Sequence, residues 1–247
     1  MHCTKSGIVV KQVGTSVSVF RRRCKSWTCP SCSRMRRNAL IAEGLKGKPN
    51  RFVTLTCSPH WFGSPDERAA QLAKAWRLTV AAFRHRWPSR ECEYLCVFEA
   101  HQSGEPHMHV MFRGGFLPWA WLKGQMAKRV GGKHVDVRYV HNPKQVAQYV
   151  AKYISKRPIR FGTCKRYWSS KGYLEKSAAQ ERRERNQGAL FYAKNRHFTA
   201  YLEDLLRARI TLVLPHPNLI EYELPPGRAS PIGFWLEDAM NFHSRAA

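Results

Sequence analysis

The order of strand and helix patterns between residues 51 and 156 constrains the fold more than any other feature of the sequence. Four short segments alternate apolar and polar residues, and three longer segments repeat apolar residues at a helical spacing. This order predicts an α+β domain with a mostly antiparallel sheet flanked by helices, close to the ferredoxin-like arrangement. The predicted strands are 51–57, 92–100, 107–113 and 134–140, and the predicted helices are 66–86, 118–130 and 143–156.

The regions on either side of this domain differ from it in composition. The first 45 residues are basic and hold four of the eight cysteines, and short apolar runs around Gly14 predict two strands joined by a turn. The last 75 residues are charged and mostly helical in pattern before they become rich in proline. We therefore expect three regions: a cysteine-rich module at 1–45, the α+β domain at 46–172, and a helical or irregular extension at 173–247.

The charge of the chain indicates a polyanionic partner. Its 247 residues include 42 Lys and Arg against 17 Asp and Glu, which gives a net charge of +25. Such a surplus repels itself unless a polyanion compensates it, and each neutralised phosphate of a nucleic acid releases condensed counterions. No apolar run approaches the roughly 20 residues of a spanning helix, and the first residues lack the layout of a signal peptide. We expect a nucleic-acid partner, no membrane partner and a cytoplasmic location.

Three cysteines near the start of the chain have the spacing of a metal site. Cys24, Cys29 and Cys32 follow a C-x4-C-x2-C pattern, and a closed tetrahedral zinc site needs a fourth ligand. Cys3 is well placed for this role because a strand hairpin would return Cys24 beside it, and His2 is the adjacent alternative. Clustered cysteines in a reducing compartment more often bind metal than pair, so we expect a zinc-ribbon-like module with structural Zn²⁺.

A second group of side chains suits a metal ion with open coordination positions. His107 and His109 are two residues apart on a predicted strand, so both imidazoles project from the same face. Glu99 ends the preceding strand, and antiparallel pairing across the turn would place its carboxylate near them. Two histidines and one glutamate suit Mn²⁺, Mg²⁺ or a similar ion, whose open positions can polarise a phosphoryl oxygen.

The last predicted helix of the central domain carries a Tyr-x-x-Lys unit twice. Tyr149 and Tyr153 are four residues apart, so they lie one turn apart on one face, which Lys152 and Lys156 flank. A phenol is a poor nucleophile near neutral pH, but a nearby cation and metal favour its phenolate form. The same pattern is also that of an amphipathic helix with aromatic packing and solvated lysines.

Three segments, taken in order, resemble the three motifs of the HUH endonucleases. They are residues 52–56 (FVTLT), 106–112 (PHMHVMF) and 149–156 (YVAKYISK). The chain looks most like the rolling-circle replication initiators of single-stranded DNA phages and small plasmids, and its doubled tyrosine is similar to their two-tyrosine branch. Residues 23–32 look like the cysteine module that precedes this domain in many such replication proteins.

The resemblance implies a role for each of these side chains. The two histidines and Glu99 would hold the catalytic Mn²⁺ or Mg²⁺. Tyr149 or Tyr153 would attack a phosphodiester of single-stranded DNA at an origin, which would form a 5′-phosphotyrosine link, free a 3′-OH and later allow the strand to be rejoined. Lys152 and Lys156 would stabilise the phosphate or position the strand.

The resemblance also implies partners and a setting. The partners would be single-stranded DNA or an origin hairpin, and a host polymerase. A separate host helicase would be needed because the sequence has no Gly-x-x-x-x-Gly-Lys-Ser/Thr motif. The setting would be the cytoplasm of a bacterial host, with the chain encoded by a phage or plasmid. Basic and aromatic residues just after the tyrosine helix are expected to contact the DNA, namely Arg166, Tyr167, Trp168 and Lys171.

Two other functions stay open on the sequence alone. A two-tyrosine HUH transposase would share the histidine pair and the tyrosines, and it would differ in the DNA ends that it joins. A zinc-ribbon protein that binds nucleic acid without catalysis would explain the charge and the cysteines. It would leave the glutamate, the histidine pair and the paired tyrosines without a role.

Overall fold

A computed structural model of the chain describes residues 3, 7–156, 159–175, 180, 188–193, 198–207, 209–216, 219–224, 227 and 242–245, and for residues 152–156, 189–193, 214–216 and 242–245 it gives the backbone alone. The chain divides into two compact units, Ser33–Glu175 and the pair of segments Met1–Cys32 and Lys176–Ala247. In chain order the described elements are β1 (Ile8–Val13), β2 (Ser16–Arg21), α1 (Pro30–Lys46), β3 (Arg51–Thr56), α2 (Pro65–Arg86), β4 (Cys92–Ala100), β5 (Pro106–Gly114), α3 (Trp119–Val130), β6 (Val135–Tyr139), α4 (Pro143–Lys156), β7 (Tyr167–Ser169), β8 (Ala189–Ala193), α5 (Phe198–Arg207), β9 (Leu212–His216), β10 (Leu219–Glu223) and β11 (Phe242–Arg245).

The unit Ser33–Glu175 is built on an antiparallel sheet with the strand order β6-β3-β5-β4-β7. The succession from β3 to β6 is strand, helix, strand, strand, helix, strand, so the predicted α+β fold is confirmed. The strand β7 extends this sheet beside β4, and the sequence did not predict it because three residues are too few to show an alternation.

The two faces of this sheet carry different side chains because successive residues of a strand point to opposite sides. One face packs with α2 and α3 around buried apolar residues of the central strands, including Val53, Leu55, Met108, Val110 and Phe112. The intervening residues of β5 face the other side, where α4 packs against β4 and β5. Polar side chains of the central strands are therefore placed under α4.

The start of α4 is fixed by local signals in the sequence. The side-chain oxygen of Asn142 accepts hydrogen bonds from the backbone N–H groups of Lys144 and Gln145, at 3.1 and 3.3 Å. This satisfies two amides that the first turn of a helix leaves unpaired. Pro143 occupies the first helical position, where its missing N–H costs nothing.

A glycine lets a second helix pack closely on the same face as α4. Gly44 of α1 lies against β5 and α4, and a Cβ atom at this position would come within 3.0 Å of Met111 and 3.1 Å of Ala147. The absence of a side chain at Gly44 therefore lets α1 approach both elements. The hydrophobic pattern does not predict α1, because arginine and asparagine residues interrupt any apolar stripe along it.

The other unit has a sheet with the strand order β11-β8-β1-β2-β10-β9, in which all neighbours are antiparallel. The expected C-terminal helix content is present in α5, but the same region also supplies β8, β9, β10 and β11. These strands were missed because they pair with β1, β2 and one another, and a local pattern does not show a partner at the far end of the chain. The division into three regions at residues 45 and 172 stays a prediction.

The core of this second sheet repeats the alternation of its strands. Val17 and Val19 of β2 are fully buried, as are Ile220 and Tyr222 of β10, which pair beside them. The hydroxyl groups of Tyr201 and Tyr222 share a hydrogen bond of 2.6 Å, so two buried phenols satisfy each other. Among the helices that the structure describes, none has both the length and the apolar character that crossing a membrane requires.

Candidate metal-assisted nuclease site

The hairpin of β4 and β5 brings the predicted metal ligands to one face. Glu99 lies directly opposite His107 in this pair of strands. His109 is one pleat further along β5, opposite Thr54 of β3. The tight turn between the strands includes Gly104 at a φ of 86°, in the left-handed region that favours glycine. The register therefore places Glu99 and both histidines on the side of the sheet that α4 covers.

The imidazole of His109 is held from three directions. Its Nε2 lies 2.6 Å from a carboxylate oxygen of Glu99, and its Nδ1 lies 3.2 Å from the hydroxyl oxygen of Thr54. The ring of Phe52 stacks on it at a centroid distance of 5.4 Å. Because His109 is also buried, with 4% of its surface exposed, its ring has one defined orientation. Such hydrogen-bonded partners are what orients metal-binding histidines in proteins.

His107 is less enclosed than His109. Its ring stacks on that of His101 at a centroid distance of 4.9 Å. Burial lowers the pKa of His107, and the nearby His101 and His109 lower it further. A lowered pKa favours the neutral imidazole, which is the form that binds a metal ion. Glu99 and His109 are in contact, but the ligand atoms of Glu99, His107 and His109 do not form one group within 4.8 Å.

The first predicted nucleophile faces this histidine pair. Tyr149 of α4 lies edge-on to His109, with ring centroids 6.0 Å apart, and edge-on to Phe52 at 5.9 Å. Its side chain is 44% exposed, so it is open to a bound molecule. Tyr153 lies on the same helix, about 6 Å further along its axis from a rise of about 1.5 Å per residue. The side chains of Tyr153, Lys152 and Lys156 lie outside the described part of the chain.

An open pocket of about 530 Å³ connects these groups. Glu99, His107, His109 and Tyr149 all line it, so the structure brings two separately predicted motifs to one cavity. Thr54 lines it as well, which gives a place to the first of the three sequence motifs. A pocket of this size with few convergent polar groups is typical of a ligand site.

Sequence reasoning missed four residues of this pocket. Asp136 and Arg138 of β6 line it, and the Arg138 Nε donates a hydrogen bond of 2.6 Å to the Asp136 carboxylate. His101 and Gln102 of the turn after β4 line it too. The alternation in residues 134–140 puts Asp136 and Arg138 on the same face of their strand. It does not show that this strand lies beside β3, because α3 separates the two in sequence.

The four N-terminal cysteines lie close together and could bind a metal such as zinc. The Sγ atoms of Cys3, Cys24, Cys29 and Cys32 all lie within 4.8 Å of one another. The Sγ of Cys32 is 3.5 Å from that of Cys24 and 3.6 Å from that of Cys3. Four sulfurs about 2.3 Å from a tetrahedral zinc lie about 3.8 Å apart, so the donor set fits this ion. His2, the alternative ligand, lies outside the described residues.

The surroundings of these sulfurs also suit a metal. The backbone N–H of Cys24 donates to the Sγ of Cys3 at 3.3 Å, and the N–H of Ser26 donates to the Sγ of Cys24 at 3.4 Å. Amide hydrogen bonds of this kind stabilise negative charge on sulfur. Burial raises the pKa of Cys32 to about 12, whereas the backbone N–H of Cys32 lowers the pKa of Cys29.

The predicted DNA-contacting residues after α4 have mixed surroundings. Trp168 packs against the core between the sheet and its helices, and Lys171 is exposed. Tyr167 is half-buried beside Arg36, and burial raises its pKa. Burial, together with the charge of Arg36, lowers the pKa of Arg166 to about 10. Contact of these four residues with DNA stays a prediction.

Comparison with known proteins gives one match. Residues 50–158 match the family model of the replication-associated protein ORF2. The matched segment spans β3 to α4, which carry the residues of the pocket described above. The match supports a family of replication initiators and a role in replication. No curated protein and no solved structure matches the chain.

Proposed function

We propose that the chain is a replication initiator of the HUH type that nicks single-stranded DNA and later rejoins it. The observation that carries this proposal is the position of Tyr149, which faces His109 and its partner Glu99 across one open pocket. The match of residues 50–158 to a replication-associated family supports it independently. Both observations concern the same segment of the chain.

The reaction exchanges one ester of the phosphate for another. The phenolic oxygen of Tyr149 attacks phosphorus from the side opposite the 3′ oxygen, and a new O–P bond forms as the P–O3′ bond breaks. The phenol loses its proton and the departing 3′ oxygen gains one, so the products are a 5′-phosphotyrosine and a free 3′-OH. Because a phosphodiester is kept throughout, a later attack by a 3′-OH can reverse the step and rejoin the strand.

The pocket residues prepare this exchange. Glu99 and Thr54 hold the His109 ring from both of its nitrogens, and Phe52 lies against both His109 and Tyr149. The distance between nucleophile and histidine is thus set by one aromatic contact. A divalent ion such as Mn²⁺ or Mg²⁺, held by Glu99, His107 and His109, would polarise a non-bridging phosphoryl oxygen when bound.

The second tyrosine accounts for a complete cycle of cutting and joining. Tyr153 lies one helical turn after Tyr149, so a small shift of the helix or the strand would exchange the two phenols at the phosphate. Lys152 and Lys156 would neutralise phosphate charge or position the strand. We propose single-stranded DNA or an origin hairpin as the substrate, with a host helicase and polymerase as partners in the cytoplasm of a bacterial host.

The cysteine cluster would have a different task. We assign it a structural Zn²⁺ held by Cys3, Cys24, Cys29 and Cys32, because all four sulfurs already lie together and leave no ligand position open. A non-catalytic zinc protein would leave the contact between Tyr149 and His109 without a role. A transposase would use the same chemistry and would be recognised by the ends that it joins.

The test uses a labelled library of random-sequence single-stranded DNA, since it needs no knowledge of the origin. The full chain is incubated with the library and Mn²⁺, and protein–DNA adducts are captured under denaturing conditions. Mass spectrometry should place a 5′-linked nucleotide on Tyr149 or Tyr153, and sequencing of the attached DNA should reveal a preferred site.

Tyrosine variants make this test decisive. The Tyr149→Phe/Tyr153→Phe double variant should form no adduct, because each change removes only the nucleophilic oxygen. The matched control is Tyr139→Phe, which changes a 58% exposed tyrosine on β6 that does not line the pocket. An adduct that persists in the double variant would show that the nucleophile lies elsewhere and would overturn the proposal.

A further inference from the structure

We propose that Arg138, held by Asp136, is a phosphate-binding residue of the pocket. Neither the three sequence motifs nor the family match assigns a function to these two side chains. The ligand class is a phosphodiester of a single nucleic-acid strand. This inference rests on the proposed function, because it takes the pocket to be the place where a strand binds.

The register of the sheet places Arg138 beside the other groups of the site. β6 pairs with β3 so that Asp136 lies opposite Thr54 and Arg138 lies opposite Phe52. Thr54 contacts His109, and Phe52 contacts Tyr149. Each residue of the Asp136–Arg138 pair is therefore one strand away from a residue that touches the histidine or the tyrosine.

The charges of the pocket lining require a cation for an anionic ligand. Among the lining residues that the structure describes, the carboxylates are Glu99 and Asp136, and Arg138 is the one lysine or arginine. Without Arg138, the described lining would repel a phosphate. With it, the carboxylates and the guanidinium stand on β4 and β6, on either side of the strands that carry His109 and Thr54.

The geometry of Arg138 suits a planar phosphate contact. Its hydrogen bond to Asp136 uses Nε, at 2.6 Å, which is one of the five N–H donors of a guanidinium. The side chain is 75% exposed, so the end that carries the other donors is accessible to a ligand. An arginine fork binds two phosphate oxygens at once, and a neighbouring carboxylate reduces the rotamer freedom that is lost on binding.

An exposed ion pair alone contributes little to stability, so the pair has a measurable purpose only if it binds something. The test measures binding of a short fluorescent oligothymidylate to the full chain by anisotropy, over a series of salt concentrations, without added Mn²⁺ or Mg²⁺. Arg138→Ala should weaken binding about tenfold, the size of one charge-assisted hydrogen bond. It should also lower the slope of log affinity against log salt by about 0.7, the value for one phosphate contact on a single strand.

Three further variants separate this contact from a general effect of charge. Arg86→Ala removes an exposed arginine at the end of α2, on the other face of the sheet, and should change both quantities less. Arg138→Lys should keep the salt slope but bind more weakly than the wild type, because it keeps the charge and loses the fork. Asp136→Asn should weaken binding less than Arg138→Ala, because the arginine stays but is no longer held by a charge.

The outcomes distinguish this inference from the proposed function. Equal effects of Arg138→Ala and Arg86→Ala would overturn the phosphate contact, and so would a salt slope that falls in Arg138→Lys as far as in Arg138→Ala. Neither result would affect the adduct on the tyrosines. Conversely, a wild-type chain that binds the oligothymidylate through Arg138 but never forms an adduct would refute the nuclease proposal and leave the contact intact.

Discussion

The cysteine cluster and the histidine pocket are both candidate metal sites, but they are built in opposite ways. In the cluster, four sulfurs lie within 4.8 Å of one another, and backbone amides donate to two of them. In the pocket, Glu99 and His109 are in contact while the site opens into a cavity of about 530 Å³. A full set of protein ligands leaves no room for a substrate, whereas a partial set next to a cavity does.

The difference indicates which kind of support each site needs. The cluster is held by its own ligands, because the chain on both sides of the hairpin β1–β2 converges on it. The pocket is held by neighbours that are not ligands: Thr54 orients His109, and Phe52 lies between His109 and Tyr149. A change in the cluster should therefore affect folding, and a change around the pocket should affect reactivity.

The largest effect should come from breaking the cluster. Cys24→Ser should abolish stoichiometric zinc binding and unfold the surrounding region, because structural zinc contributes roughly 10 kcal/mol or more of binding free energy in small zinc domains. Elemental analysis and thermal denaturation measure both effects. Cys164→Ser, at a half-buried cysteine outside the cluster, is the control and should keep the zinc. Freshly purified wild-type protein without zinc would contradict the assignment.

The second effect should be confined to chemistry. His109→Ala should slow adduct formation by more than about 100-fold, the upper range for losing even an indirect partner of a metal, while zinc content and thermal stability change little. The readouts are adduct yield in Mn²⁺ and elemental analysis of the same sample. His60→Ala, at an exposed histidine in the loop after β3, should behave like the wild type.

Mild chelation should separate the two sites in the wild type. Brief EDTA treatment should stop adduct formation, since the pocket has few protein ligands, and Mn²⁺ should restore it while zinc stays bound. The measurement is adduct yield before and after chelation, with zinc quantified in parallel. Adduct formation that continues after all exchangeable metal has been removed would argue against a metal at the histidines.

The smallest effect should come from a neighbour of the pocket. Thr54→Val keeps the shape of the side chain but removes the hydroxyl that contacts His109, and should slow adduct formation about tenfold. It should also weaken Mn²⁺ binding, measured by electron paramagnetic resonance, and Thr54→Ser should recover most of both. Thr56→Val is the matched control on the same face, since the Thr56 hydroxyl bonds the carbonyl of His134 instead. Equal effects of the two valine variants would contradict the role of Thr54.

The parts of the site that the sequence predicted are those with short-range causes. Glu99 and His107 lie on two strands joined by one turn, so their pairing follows from the hairpin itself. The helix that carries Tyr149 was predicted to its ends because Asn142 and Pro143 mark its start. In each case the signal and the structure lie within a few residues of one another.

The parts that the sequence did not predict depend on distant pairings. Arg138 reaches the pocket only because β6 lies beside β3, and α3 separates β6 from the preceding strand β5. The role of Thr54 depends on its position opposite His109, which no local pattern shows. Trp168 illustrates the reverse case: an aromatic residue in a basic loop suggests base stacking, and its ring also packs against the core.

The pairing of β1 with β8 bears on the order in which the chain is made. Ile8 lies opposite Ala193, so the first hairpin leaves the ribosome long before the strands that flank it exist. Until then both edges of the hairpin are unpaired, and open strand edges promote aggregation. Cys3 and Cys24 stand at the two ends of this hairpin, and Cys29 and Cys32 follow at once. A metal bound there during synthesis would clamp the hairpin in register while residues 33–175 are made and fold.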